Sequence, residues 1–200
     1  VKIVINVKKI LSPALLLASV AALIGAALLS PKTKSFVEAA ADSTSPRSMP
    51  LSEKWMVTKV SDGDTITVRQ TDGQEMKVRL GCIDAPEIPH GKAPGQTLGQ
   101  ESKKNLQRLV DEADGEVMVS VIDTDRYGRK VGEVFTSVKD REKSLNEEQL
   151  TSGMAYFYKK YSNCPNREVF ERAEAIAQSK RLGVWTGNYQ RPWDYRQQYR

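Results

Sequence analysis

Histidine is nearly absent from this chain: His90 is the single one in 200 residues. Hydrolases that rely on a histidine base are therefore set aside, because His90 stands alone beyond Pro89 in a loop. A histidine so placed is far more often solvent-facing than catalytic. Cysteine is scarce as well. Cys82 and Cys164 are the only two, neither has metal-ligand spacing, and two cysteines make no disulfide framework. They are compatible with one bond in an exported protein, but unpaired or separately buried thiols are the plainer reading. Internal repeats are lacking, and there is one long apolar run, residues 10–29.

That run follows Lys2, Lys8 and Lys9 and precedes Ser30, Pro31 and two more lysines, the charged-then-apolar layout of an export signal. It is also just long enough to span a bilayer, though Pro13 interrupts it. Ala39-Ala40-Ala41 offers a small-residue cleavage site. Residues 1–41 are read as a signal peptide or a membrane anchor, with cleavage and retention both open. The expected location is exported: secreted or periplasmic after cleavage, otherwise anchored through residues 10–29 and facing outward.

The formal net charge of +5 at pH 7 invites a polyanion partner. However, residues 1–41 hold five lysines and one glutamate, so they supply +4 of it. The remainder is almost neutral and carries no such argument. It is uneven: residues 42–155 carry −4 and residues 156–200 carry +5. An acidic body with a basic final section is compatible with a metal site beside a phosphate-binding surface.

Residues 42–53 read as a linker, 54–188 as one folded domain and 189–200 as a C-terminal tail. "DTITVRQ" alternates, with Ile66 and Val68 on one face. "EMKVRLGCI" alternates too, setting Met76, Val78, Leu80 and Cys82 against Lys77 and Arg79. Asp72-Gly73 between them is a hairpin signal. "EVMVSVI" and "KVGEVFT" make two further strands around "DTDRYGR". Leu106, Leu109, Val110 and Ala113 keep helical spacing up to Gly115. Ser144 and Glu147 form a capping box, and Val169, Phe170, Ala173 and Ile176 make an apolar stripe read as core packing. The order predicts an α+β domain, a five-stranded barrel with three packed helices.

A two-residue Asp72-Gly73 turn would place Asp64 opposite Gly81, three residues before Asp84. Strands lie about 5 Å apart, so both carboxylates could reach one cation if the chain bends after Cys82. Pro86 predicts that bend. Two carboxylates, a backbone carbonyl and waters suit calcium or magnesium better than zinc. Alone, Asp62-Gly63-Asp64 would pass for a turn.

"DGDTITV", "RLGCIDAPE" and "DRYGR", in this order and spacing, resemble the staphylococcal nuclease (thermonuclease) family from about Trp55 to Trp185. The final "PWDYR" is similar to tails of its bacterial members. The resemblance implies an oligonucleotide/oligosaccharide-binding (OB-fold) barrel and calcium-dependent cleavage of DNA and RNA, leaving 3′-phosphate and 5′-hydroxyl ends. It implies Asp64 and Asp84 as metal carboxylates, and Ala85, where threonine is usual, as a metal ligand through its carbonyl. Glu87 would activate or orient the attacking water, and Arg79 and Arg129 would bind phosphate. Magnesium or manganese is not excluded.

Charge arguments agree. A divalent cation and two forked guanidiniums can neutralise the charge that a phosphodiester concentrates in its transition state. Arg126 and Tyr127 are candidates for terminal phosphate and nucleotide contact, and Tyr158 and Tyr161 for base stacking. At least one tyrosine of the group with Tyr156 should instead pack into the core. In isolation Arg129 would pass for a turn arginine. Expected substrates are DNA and RNA, with single-stranded regions favoured, acted on by a monomer with no protein partner implied. The alternatives are a non-catalytic OB-fold module binding nucleic acid or protein, and a secreted module with a purely structural calcium site.

Overall fold

Alternating burial organises the first three strands, β1 (Lys54–Val60), β2 (Thr65–Arg69) and β3 (Glu75–Leu80). Trp55, Ile66, Val68, Val78 and Leu80 turn inward and are buried, while Lys77 is exposed between them. The computed structural model describes residues 54–161 and 163–199. The signal or anchor segment, its cleavage site and the linker lie outside the described residues. Among those described, no helix is long and apolar enough to cross a membrane.

A two-residue strand, β4 (Ile83–Asp84), follows the first three, and β5 (Glu116–Thr124) and β6 (Lys130–Val138) complete the barrel. The strands run antiparallel in the order β3-β2-β1-β5-β6. β6 then pairs in parallel with β3, from Val78↔Lys130 to Leu80↔Gly132, and closes the ring. Closure leaves none of these five strands with a fully unpaired edge. The five-stranded α+β barrel predicted from the sequence is therefore the observed architecture. β7 (Arg141–Ser144) extends it as a hairpin on β6, and β8 (Tyr156–Phe157) pairs with β4.

The hairpin register differs from the expected one. Thr65 pairs with Arg79 and Ile66 with Val78, so residues 71–73 form a three-residue loop, and Asp64 lies beside Leu80 rather than Gly81. Gly73 adopts φ +89°, the left-handed position that such a loop requires. Burial explains the choice. This register puts Ile66 and Val78, both wholly buried, on one face, whereas the two-residue turn would have set Ile66 against Arg79.

Four described helices pack on the barrel rather than three: α1 (Gly99–Asp111), α2 (Leu145–Thr151), α3 (Arg167–Ser179) and α4 (Pro192–Gln198). The expected tail thus contains a helix, with Pro192 at its first position. Ser144 caps α2 by accepting from the Glu147 amide at 3.3 Å. α3 buries Phe170, Ala173 and Ala177, while Ile176 is exposed, so the expected stripe is rotated by part of a turn. The cysteines are also corrected: Cys82 and Cys164 form a disulfide. The β4–β8 pairing and a Tyr158 N–H bond to the Cys82 carbonyl bring these distant segments together, which no local sequence pattern reveals.

Asn146, wholly buried at the start of α2, ties the barrel seam. Its Oδ1 accepts from the Val134 amide at 3.0 Å, and its Nδ2 donates to the Gly81 carbonyl at 2.8 Å and the Gly132 carbonyl at 3.3 Å. Asn146→Ala strands buried backbone groups on both sides of the closure. It should cost about 2–4 kcal/mol of unfolding free energy, read from urea denaturation.

Candidate active site

The turn before β2 is packed too tightly to be an ordinary surface loop. A Cβ on Gly63 would stand 1.9 Å from Ser102 Oγ and 2.7 Å from the Ala85 Cβ. Gln149 Nε2 donates to the Gly63 carbonyl at 2.6 Å, and the Asp64 amide donates to Asp62 Oδ1 at 3.0 Å. Asp64 is thereby pinned between α1 and the corner after β3. Ala85 N–H donates to Asp64 Oδ2 at 2.9 Å, so the main chain of residue 85 lies against this carboxylate.

A chain of ion pairs starts there. Arg79 Nη1 donates to Asp64 Oδ1 at 2.6 Å, and its Nη2 donates to Asp84 Oδ1 at 2.7 Å. Asp84 also accepts from Arg196, at Oδ1 from Nη1 (2.9 Å) and at Oδ2 from Nη2 (2.6 Å). Arg196 Nη1 reaches Glu87 Oε1 at 2.5 Å. The array therefore runs Asp64–Arg79–Asp84–Arg196–Glu87. The Asp84 side chain is wholly buried, and exposure rises to 29% at Glu87 and 37% at Arg196.

Above the array opens a cleft of about 860 Å³. Arg126, Tyr127 and Arg129 line one part of it, and Tyr158 and Tyr161 another. Arg129 does not join the carboxylate array: its Nε donates to Asp125 Oδ2 at 2.7 Å, and Asp125 Oδ1 accepts from the amides of Tyr127 and Arg129. Among the described residues, no hydrogen bond engages the two terminal nitrogens of Arg129. Tyr127 is 69% exposed, with the Arg126 guanidinium 4.8 Å over its ring. Tyr158 packs against Trp193, and the Tyr161 hydroxyl donates to Asp123 Oδ2 at 3.2 Å. Tyr156 is the tyrosine that enters the core, and His90 is exposed.

Electrostatics follow from this packing. Burial pushes the Asp64 carboxyl up to about 7; Arg79 opposes the shift, while Asp62 and Asp84 add to it. Burial also raises Glu87, against the pull of its Arg196 bond. Partial burial of Asp125 is outweighed by its bonds to Arg129, which hold it below the usual carboxylate range.

The family model described as staphylococcal nuclease homologue matches residues 77–187, more than half of the chain. A Haemophilus influenzae protein named as an uncharacterized endonuclease is 37% identical over 132 residues, 66% of each chain. A micrococcal nuclease of Shigella flexneri is 34% identical over 146 residues, covering 70% of this chain and 78% of its own. A probable staphylococcal-like nuclease of Oryza sativa is 32% identical over 128 residues, 64% of this chain and 30% of its own.

The chain belongs to the staphylococcal nuclease family.

The span matched to the staphylococcal nuclease family holds Arg79, Asp84, Ala85, Glu87, Arg126, Tyr127 and Arg129, with Asp64 before it and α4 after it. Sequence reasoning overlooked Arg196 altogether. Its signal was the basic final section and "PWDYR", whose proline opens a helix and whose arginine stands four residues later. Among the described residues, no group of three or more His, Cys, Asp or Glu side chains is placed to hold a metal.

The Asp64 shift has a definite sign. A carboxyl raised in the folded state stabilises the fold fully below its ordinary value of 3.8, and this contribution is lost as pH rises through about 7. Unfolding free energy of the ion-free protein should fall between about pH 4 and pH 7, and Asp64→Asn should flatten that slope in denaturant titrations.

Proposed function

We propose that this protein is an exported, calcium-dependent nuclease that hydrolyses phosphodiester bonds of DNA and RNA, leaving 3′-phosphate and 5′-hydroxyl ends. The observation that carries this reading is the single array Asp64–Arg79–Asp84–Arg196–Glu87 beneath a cleft that also takes in Arg129. Family membership and relatives named as nucleases support it. The Cys82–Cys164 disulfide supports export, because such bonds persist in oxidising compartments.

The donor chemistry fits a hard cation. Asp64 and Asp84 offer carboxylate oxygens, and residue 85, whose N–H donates to Asp64 Oδ2, adds a main-chain carbonyl, with no nitrogen or sulfur in the set. Burial raises Asp64 despite Arg79, and Asp62 and Asp84 add to the shift; a divalent ion beside the carboxylate would offset it. Asp64, Asp84 and the Ala85 carbonyl are the residues that would hold it. Such an ion, when bound, supplies charge neutralisation at the phosphate oxygens.

This chain's own groups do the rest. Arg79, only 19% exposed, presents its guanidinium at the cleft floor and stabilises charge developing on a phosphate oxygen. Arg129 acts from the turn after β5, its Nε braced by Asp125 so that the terminal nitrogens are oriented. Glu87 takes a proton from water or holds the water in line; burial raises its basicity above that of an ordinary glutamate. Tyr127, Tyr158 and Tyr161 give base-stacking surfaces indifferent to sequence, which suits single-stranded segments of either nucleic acid. The working unit is a monomer.

Single-stranded DNA and RNA should be cut by the protein with calcium and left intact with a chelator. Glu87→Gln and Arg129→Ala should each lower kcat by at least about 100-fold with unchanged circular dichroism. Cutting that ignores the chelator, or none with calcium, magnesium or manganese, would refute the reading.

A further inference from the structure

α4 lies beyond the family-matched span, yet its last turn enters the carboxylate centre. The helix is anchored before Arg196 is reached. Tyr195 is buried, and its hydroxyl accepts from the Gly95 amide at 2.8 Å. The Gln190 carbonyl accepts from Gln96 Nε2 at 2.7 Å. Trp193 packs on Tyr158 with ring centroids 5.4 Å apart, and Arg191 lies 4.1 Å over the Tyr156 ring. Arg196 is therefore delivered by packing and does not drift in by charge attraction alone.

Its delivery changes what Asp84 can do. A carboxylate has about four lone-pair directions. At Asp84, three hydrogen bonds from guanidiniums occupy three of these: one from Arg79 and two from Arg196. With no exposure, Asp84 gains no further ligand from solvent without a change of partners. Arg79 is held by two aspartates in the interior, whereas Arg196 is the more exposed of the two and is bound on the solvent side to Glu87. A cation that takes Asp84 has to displace one guanidinium, and Arg196 is the one with a way out.

We propose that Arg196 is a resident competitor for Asp84, so that α4 sets the divalent-ion affinity of the centre. The inference rests on the metal-dependent reading above. The Arg196 guanidinium supplies one positive charge that the ion must displace. When the ion takes Asp84, the contact to Glu87 breaks in the same movement, so loading the centre also frees Glu87 to engage water. A truncated family member without this helix would lack both effects.

Isothermal titration of calcium into the full chain, without nucleic acid, tests this directly. Arg196→Gln should bind calcium at least about tenfold more tightly than wild type, because one nearby positive charge is lost. Arg196→Lys should fall between them, since lysine keeps the charge without the fork that spans both oxygens. Equal or weaker binding by a folded Arg196→Gln protein overturns the proposal. If that variant fails to fold, Arg196→Lys decides: tighter binding supports the proposal and equal binding overturns it. Calcium binding by neither wild type nor variant overturns it too. Digestion of single-stranded DNA by the same wild-type preparation then shows whether the nuclease reading falls with it.

Discussion

Arg79 standing between Asp64 and Asp84 is the contact on which the site depends. Two buried carboxylates that close would repel, and each would lose hydration, so neither position is tenable without a shared cation. A forked guanidinium meets the need because its two terminal nitrogens reach different aspartates at 2.6 and 2.7 Å. The barrel makes this possible. Pairing of Thr65 with Arg79 sets the arginine beside the strand that begins after Asp64, and the corner at residues 81–85 folds Asp84 back toward it. The price is an array that would be badly destabilised by removing Arg79, since buried Asp64 would lose its guanidinium and Asp84 one of its two.

The fold was largely legible because its strands are patterned with period two and its helices carry recognisable punctuation. Asp72-Gly73 announced the hairpin, Ser144 the start of α2, and Pro192 stood where α4 begins. What could not be read was non-local. Turn chemistry alone suggested the wrong register, although the apolar alternation of Ile66 and Val78 contained the correction. Facing pattern constrains a pairing more strongly than loop length, since one residue of slip would have turned Arg79 inward. The disulfide and the Asn146 seam were hidden for the same reason: each joins segments with no common local signal.

The candidate site divided along similar lines. Asp64, Asp84, Glu87 and the arginines were found because they stand in motifs at fixed intervals. Their mutual contacts were not, and Arg129 illustrates the difference: it lines the cleft but is braced by Asp125, not by the carboxylate array. Arg196 escaped notice because a lone arginine in a polar segment carries no meaning until the helix that bears it is docked. Buried aromatic packing by Trp193 and Tyr195, hard to foresee in a segment read as a tail, supplies that docking.

The bond between Cys82 and Cys164 spans 82 positions of sequence. It therefore loops every element from β4 to β8 into one covalent circle, fastened beside the corner that carries Asp84. A denatured molecule keeps this loop closed, and the lost chain freedom amounts to about 4.5 kcal/mol in the loop-closure description. Heat or denaturant can thus melt the barrel without letting the aspartate corner and the tyrosine-bearing segment wander apart. A reductant would remove that tether while leaving every side chain of the ion-pair array in the polypeptide.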